Sequence, residues 1–243
     1  MKLANRVVWV TGSARRVGRA IALECAREGA DVVVHCHRSR EEADGVAAEI
    51  QALGRRTLVV QGDHGQPADV TRMVAEIEGH FGRLDALVNS AAGYPLKPFE
   101  EIGEEDFFAI MRTNAYGPFL CTQKALPLLR KAAPGRVVNI TDWALVRPYK
   151  GRAHYNASKG ALNSITLALA RELAPGVLVN AVAPGPVLEP ENLSPTERAA
   201  IIARTTLKRW GTPDDVARAV VYLLESDYLC GETIVVDGGL RLG

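Results

Sequence analysis

Very little in this chain is in excess. Its 243 residues carry 29 lysines and arginines against 28 aspartates and glutamates, so no net field draws it to nucleic acid or to a membrane surface. No apolar run approaches the length of a membrane span, and the opening MKLANRVVWVTG holds only a short apolar stretch, too short for the core of a signal peptide. Cysteine is sparse: Cys25, Cys36, Cys121 and Cys230 are scattered without CxxC spacing, which suits reduced thiols in a cytoplasmic protein. His35-Cys36-His37 is the one metal-like cluster, but strand alternation sends Cys36 to the opposite face from its neighbours, so no metal is expected. Aromatics are few, and there is no tract of low complexity. What remains is the composition of an ordinary globular chain, long enough for one sizeable α/β domain with a full core.

Apolar runs alternate with amphipathic stretches throughout. RVVWVT (6–11), DVVVHC (31–36), RTLVVQ (56–61), ALVN (86–89), RVVNIT (136–141), VLVNAVA (177–183) and TIVVD (233–237) read as strands. Most are valine-rich without polar alternation, the mark of strands covered on both faces. Helical patterns lie between them, over 16–28, 40–53, 67–82, 104–132, 153–174 and 213–224. This alternation predicts an α/β fold of the Rossmann type: a doubly wound parallel sheet of about seven strands with helices on both faces. No linker or repeat divides it, so residues 1–243 read as a single domain. The least regular stretch, about 184–205, holds Pro184, Pro186, Pro190 and Pro195 and ends in a short helix. A loop that long within a compact domain reads as a lid over a binding site.

The first strand runs into TGSARRVGRAIA (11–22). A turn at Gly12, with Gly18 beyond it, lets backbone N–H groups and a helix N-terminus face a pyrophosphate. The spacing is not GxGxxG; the inner glycine's place is taken by Arg16, beside Arg15. At the end of the second strand, HCHRS (35–39) offers His37, Arg38 and Ser39, with no acidic residue to hold a free ribose 2′-hydroxyl. A 2′-phosphate suits that set, so NADP(H) is expected rather than NAD(H). Asp63, after the third strand, is placed to accept from an adenine amino group.

Tyr155 and Lys159 fall at i and i+4 of a helical pattern, on one face. A nearby ammonium stabilises phenolate, so the pair predicts a tyrosine acid with its pKa drawn down towards neutrality. The helix follows the fifth strand, beside the carboxyl ends where doubly wound sheets bind ligands.

Over nearly its whole length the chain resembles a short-chain dehydrogenase/reductase. The matching pieces are the TGxxxxxG turn (11–18), Asp63, VNSAA (88–92), Asn114 in TNAYG, YNASK (155–159), the PG of VAPGP (182–186) and the terminal VDGG (236–239). The resemblance implies that Tyr155 protonates the substrate, that Lys159 tunes it and holds the nicotinamide ribose, and that Asn114 maintains a proton-relay water. It also implies cofactor contacts at Asn89, Ala91, Pro184, Gly185 and Val187, and a homotetramer. Where the family usually has TGxxxGxG, NNAG and a serine thirteen residues before the tyrosine, this chain has Arg16, Ser90 with Ala92, and Asp142. It also has Glu189 in place of the threonine that usually follows PG. The pteridine reductase-like branch shares TGxxxRxG, an HxHRS turn and the aspartate. That likeness implies that Tyr94 stacks on a pterin and that Arg16 orients the heterocycle.

Asp142 poses the chemical question. Ketone reduction builds negative charge on oxygen, to which a serine donates. An ionised carboxylate about 4 Å away opposes that charge by roughly 4 kcal/mol at an effective dielectric near 20. Either Asp142 is protonated in a closed site, or the acceptor is a nitrogen that must gain a proton, as in the C=N bond of a dihydropterin. A third use is simply to cap the following turn. Three functions compete: an NADPH-dependent reductase of pterins or dihydrofolate, a carbonyl reductase of the 3-oxoacyl-thioester or small-ketone type, and a sensor that binds NADP(H) without turnover. The intact Asn114, Tyr155 and Lys159 argue against the sensor, which has no need of a proton donor.

Overall fold

A computed structural model describes residues 2–189 and 193–242. Its seven strands are β1 (Val7–Val10), β2 (Asp31–Cys36), β3 (Thr57–Gln61), β4 (Ala86–Asn89), β5 (Gly135–Ile140), β6 (Val177–Pro184) and β7 (Thr233–Val236). They form one sheet in the order β3-β2-β1-β4-β5-β6-β7, every pair parallel. The helices are α1 (Arg16–Arg27), α2 (Arg40–Ala52), α3 (Pro67–Phe81), α4 (Glu104–Met111), α5 (Gly117–Ala132), α6 (Ala153–Leu173), α7 (Pro195–Arg204) and α8 (Pro213–Glu225). Val8 and Val10 pack towards α1, α2 and α8, while Val7 and Trp9 pack towards α3, α5 and α6. Both faces of the sheet are therefore covered, which is why its strands are apolar without alternation. The chain winds outwards from β1 in one direction and from β4 in the other, so the strand order reverses between these neighbours and a crevice opens at their carboxyl ends.

The sequence predicts one helix over 104–132; the chain instead breaks it with a π turn at Arg112–Tyr116, between α4 and α5. Pro118 has no N–H to return to the carbonyl of Asn114 four residues earlier, so the α-helical ladder cannot pass. Gly117 sits against His64, where a Cβ would lie 2.3 Å from the imidazole Cδ2, and His64 Nε2 donates to the Thr113 carbonyl at 2.9 Å. The short helix of the lid is α7, opened by reciprocal bonds between Ser194 and Glu197. Lid residues 190–192 lie outside the described residues. Among the described residues no helix is long and apolar enough to cross a membrane.

Candidate active site

The turn after β1 is built for close approach. Gly12 has a left-handed backbone (φ +64°), and a Cβ there would lie 2.7 Å from the Cα of Ala91. A Cβ at Gly18 would lie 2.3 Å from the Gly12 carbonyl oxygen, so both places demand glycine. The Thr11 hydroxyl accepts the N–H groups of Ser90 and Ala91 at 3.0 and 3.1 Å, bringing the loop after β4 alongside. His35 braces the same turn: its Nδ1 accepts the Gly12 N–H at 2.9 Å and its Nε2 donates to the Gly62 carbonyl at 3.0 Å. An N–H only donates and a carbonyl only accepts, which assigns the neutral Nε2–H tautomer. Burial holds this ring's pKa down at about 3. Both nitrogens of His35 are thus engaged within the protein.

Arg16 stands at φ +55°, a left-handed backbone more natural to the glycine it replaces, and its side chain lines the main cavity. Arg15, His37, Arg38 and Ser39 surround a smaller cavity of about 530 Å³ beside the end of β2, with no carboxylate among its described lining residues. There the Arg15 guanidinium donates to Ser39 Oγ and pairs with Glu42 at 2.7 Å. Asp63 borders the main cavity, one of its oxygens taking the Gly65 N–H at 2.8 Å. Asn89 ends β4, next to Ser90 and Ala91 on the cavity wall. Its side chain is buried and bonds Asn139 Oδ1 at 2.8 Å, tying β4 to β5 behind the cavity that Ala91 lines.

The main cavity, of about 910 Å³, brings Tyr155, Lys159, Asp142, Tyr94 and Arg16 together with Gly12, Gly18, Pro184, Gly185 and Val187. Gly185 packs on Asp237, where a Cβ would lie 2.7 Å from its Cα, so the PG and VDGG motifs meet in one corner. Asp142 has two uses at once. Its Oδ1 accepts the Ala144 N–H at 2.8 Å, capping the single turn Trp143–Leu145, and its Oδ2 accepts the Tyr155 hydroxyl. Burial raises Asp142 above the usual carboxylate range. Burial first, and the Asp142 charge second, push the Tyr155 phenol well above its ordinary value. This is opposite to the direction expected from the Tyr155–Lys159 spacing. Lys159 donates to the Ile140 carbonyl at 2.7 Å; it is fully desolvated, which lowers its pKa to about 8, and the charge it faces is Asp142. Tyr155 and Asp142 are therefore a coupled titrating pair, and Lys159 faces its carboxylate.

Asn114 is buried just behind. Its amide nitrogen donates to the Gly93 carbonyl and Ser158 Oγ, both at 3.0 Å, and its oxygen accepts the Gly93 N–H at 2.8 Å. Its side chain thus clamps the loop after β4 to α6. The Tyr94 ring stands edge-on to Tyr155 at 4.7 Å, with the Arg152 guanidinium 3.6 Å above its centre. One face of Tyr94 is thereby covered, so a substrate can stack only on the other. Trp143 and Tyr149 line the cavity too, as do Arg147, Lys150, Arg204 and Trp210, none of which the sequence motifs single out.

A family model described as Enoyl-(Acyl carrier protein) reductase matches residues 12–241. A 3-oxoacyl-[acyl-carrier-protein] reductase of Staphylococcus epidermidis is 34% identical over 243 residues, covering 98% of this chain and 100% of that one. The chain belongs to the short-chain dehydrogenase/reductase family. Among solved structures, a short chain dehydrogenase from Burkholderia cenocepacia in complex with NADP is 32% identical, with a TM-score of 0.91, over 99% of this chain and 100% of that one. An acetoin dehydrogenase from Enterobacter cloacae is 33% identical, with a TM-score of 0.89, over 98% of this chain and 96% of that one. This short-chain dehydrogenase/reductase is therefore an oxidoreductase served by a nicotinamide cofactor, which when bound supplies or takes a hydride. The cradle suits such a group. Gly12, Arg16 and Gly18, at the turn into α1, line the same cavity as Lys159 and Gly185, so the N-terminus of that helix borders the space a pyrophosphate would take.

Proposed function

We propose that the chain is an NADPH-dependent reductase of a small carbonyl substrate, of the 3-oxoacyl-thioester or small-ketone type, with Tyr155 and Asp142 as a single proton donor. The observation that carries this reading is the buried hydrogen bond from the Tyr155 hydroxyl to Asp142, which sits high in pKa through burial. In the step proposed, Asp142 enters protonated and turns its O–H to the Tyr155 oxygen, reversing the bond between them; Tyr155 gives its proton to the substrate oxygen, and the Asp142 proton restores the phenol. A neutral carboxyl removes the repulsion that an ionised one would exert on the developing oxyanion. The relatives named as 3-oxoacyl-[acyl-carrier-protein] reductase and acetoin dehydrogenase favour carbonyl chemistry over reduction of a pterin. Preference for NADPH is supported by Arg15, His37, Arg38 and Ser39 around the smaller cavity. Lys159 and Gly185 would hold the nicotinamide end, and Asp63 the adenine. A homotetramer in the cytoplasm belongs to the same proposal, supported by exposed Phe108 and Leu167 on α4 and α6 and by four free cysteines.

A second reading, reduction of a dihydropterin or dihydrofolate C=N bond, is favoured by the open face of Tyr94 and by Arg16 on the cavity wall. One experiment separates the two. NADPH oxidation is followed with an acetoacetyl thioester, acetoin, dihydrobiopterin and dihydrofolate, for wild type and for Asp142→Ser. Carbonyl reduction by wild type, slowed in the serine variant with its alkaline limb displaced, supports the first reading. Turnover confined to dihydropterin, lost by about 10² or more in the variant, would replace it with the second.

A further inference from the structure

Tyr149 belongs to none of the motifs on which the family likeness rests, yet it stands against the acid. Its ring lies 6.3 Å from that of Tyr155, and edge-on to Trp143 and Tyr94 at 5.7 Å each. Its backbone N–H donates to Asn156 Oδ1 at 3.4 Å and its carbonyl accepts Asn156 Nδ2 at 2.9 Å, which anchors it to the first turn of α6 beside Tyr155. The Trp143 indole N–H donates to the Tyr149 oxygen at 2.5 Å. An indole only donates, so the phenolic proton of Tyr149 must turn to a different acceptor. Asp142 takes the Ala144 N–H on one oxygen and the Tyr155 hydroxyl on the other, and a carboxylate has about four lone-pair sites, so a further donor can be received.

We propose that Tyr149 is a positioning residue for the acid: its hydroxyl, aimed by the Trp143 indole, donates to Asp142 from the cavity side and returns a proton to it after each reduction. This rests on the reading of Asp142 and Tyr155 as one proton donor. The Tyr155 O–H bond breaks as its proton goes to the substrate oxygen, and the proton of Asp142 moves to the Tyr155 oxygen. Asp142 is left as a carboxylate held by the Tyr149 hydroxyl. Tyr149 then passes its proton to Asp142 and takes another from water in the cavity, so each turnover consumes one solvent proton. The groups facing Asp142 are Tyr155 and Lys159 from α6, Tyr149 from its own loop, and Tyr94 from the loop after β4 with Arg152 over its ring. Burial and the Asp142 charge raise Tyr149, and the Tyr149 hydroxyl lowers Asp142 in return, the directions a donor to that carboxylate produces.

The test is the pH dependence of kcat and kcat/KM for Tyr149→Phe, measured in the wild-type and in the Asp142→Ser backgrounds. Loss of a donor to the carboxylate should move the alkaline limb to higher pH by about half to one unit. It should lower kcat by roughly tenfold, with a larger solvent deuterium effect and an unchanged KM. In the Asp142→Ser background the second change should add nothing. An unmoved limb, or the same loss in both backgrounds, overturns the proposal. If Asp142→Ser alone leaves the limb in place, the underlying reading of the acid fails, and the role of Tyr149 with it. Should Tyr149→Phe not fold, Trp143→Phe removes only the aiming N–H; a limb that moves upwards supports the proposal, and one that stays refutes it.

Discussion

Lys159→Met tests the electrostatics of the site through stability alone. The ammonium is fully buried, and desolvation takes its pKa from 10.5 to about 8. At 1.36 kcal/mol per pH unit, that drop means that burying the charged form costs the fold about 3 kcal/mol. The folded value lies below the unfolded one, so between pH 8 and 10.5 the folded protein binds fewer protons on this group and wild-type stability rises with pH. Below about 8 the full penalty is present, and above 10.5 the amine is neutral in both states and the penalty is gone. Methionine keeps the length and removes the amine. It also loses the bond to the Ile140 carbonyl, a term of about 1–3 kcal/mol that does not titrate. The difference in unfolding free energy between variant and wild type should therefore move by about 3 kcal/mol in favour of wild type across the window. Urea unfolding of both proteins at steps from neutral pH to 10.5 reads it, because titrating groups remote from Lys159 cancel between the two proteins. A difference that stays flat would show that Lys159 is not desolvated and would undo the argument for how it acts on Asp142.

Tyr155→Phe should abolish turnover while leaving NADPH affinity nearly intact, by kinetics beside a fluorescence titration; a variant near wild-type rate would sink the proton-donor role. Arg38→Asp should shrink or reverse the preference for NADPH over NADH in paired titrations, and equal binding of both by wild type would refute the 2′-phosphate site. Arg16→Gly relieves a left-handed backbone at φ +55° and should raise stability by up to about 1 kcal/mol, or roughly 2–4 °C in Tm, while weakening substrate binding. A lower Tm would mean that the arginine is not strained there.

The parts of this protein written in local patterns were legible in its residues. Valine-rich runs alternating with amphipathic stretches prescribe strands covered on both faces, and seven such runs match β1–β7. Tyr155 and Lys159 share a helix face because four residues make about one turn. The break at Asn114 was also present as a signal, since Pro118 withholds the N–H that the Asn114 carbonyl would need. What a side chain meets across the sheet was not legible. Asn89 turns to Asn139 on the neighbouring strand and away from the cavity, and His35 reaches the turn at Gly12 and the carbonyl of Gly62. Above all, the spacing of Tyr155 and Lys159 suggested a phenol made more acidic, and the fold made it less so. Where a proton resides depends on how much water each group has lost and which charges then surround it. Those are properties of the packed crevice between β4, β5 and α6, and no stretch of sequence carries them alone.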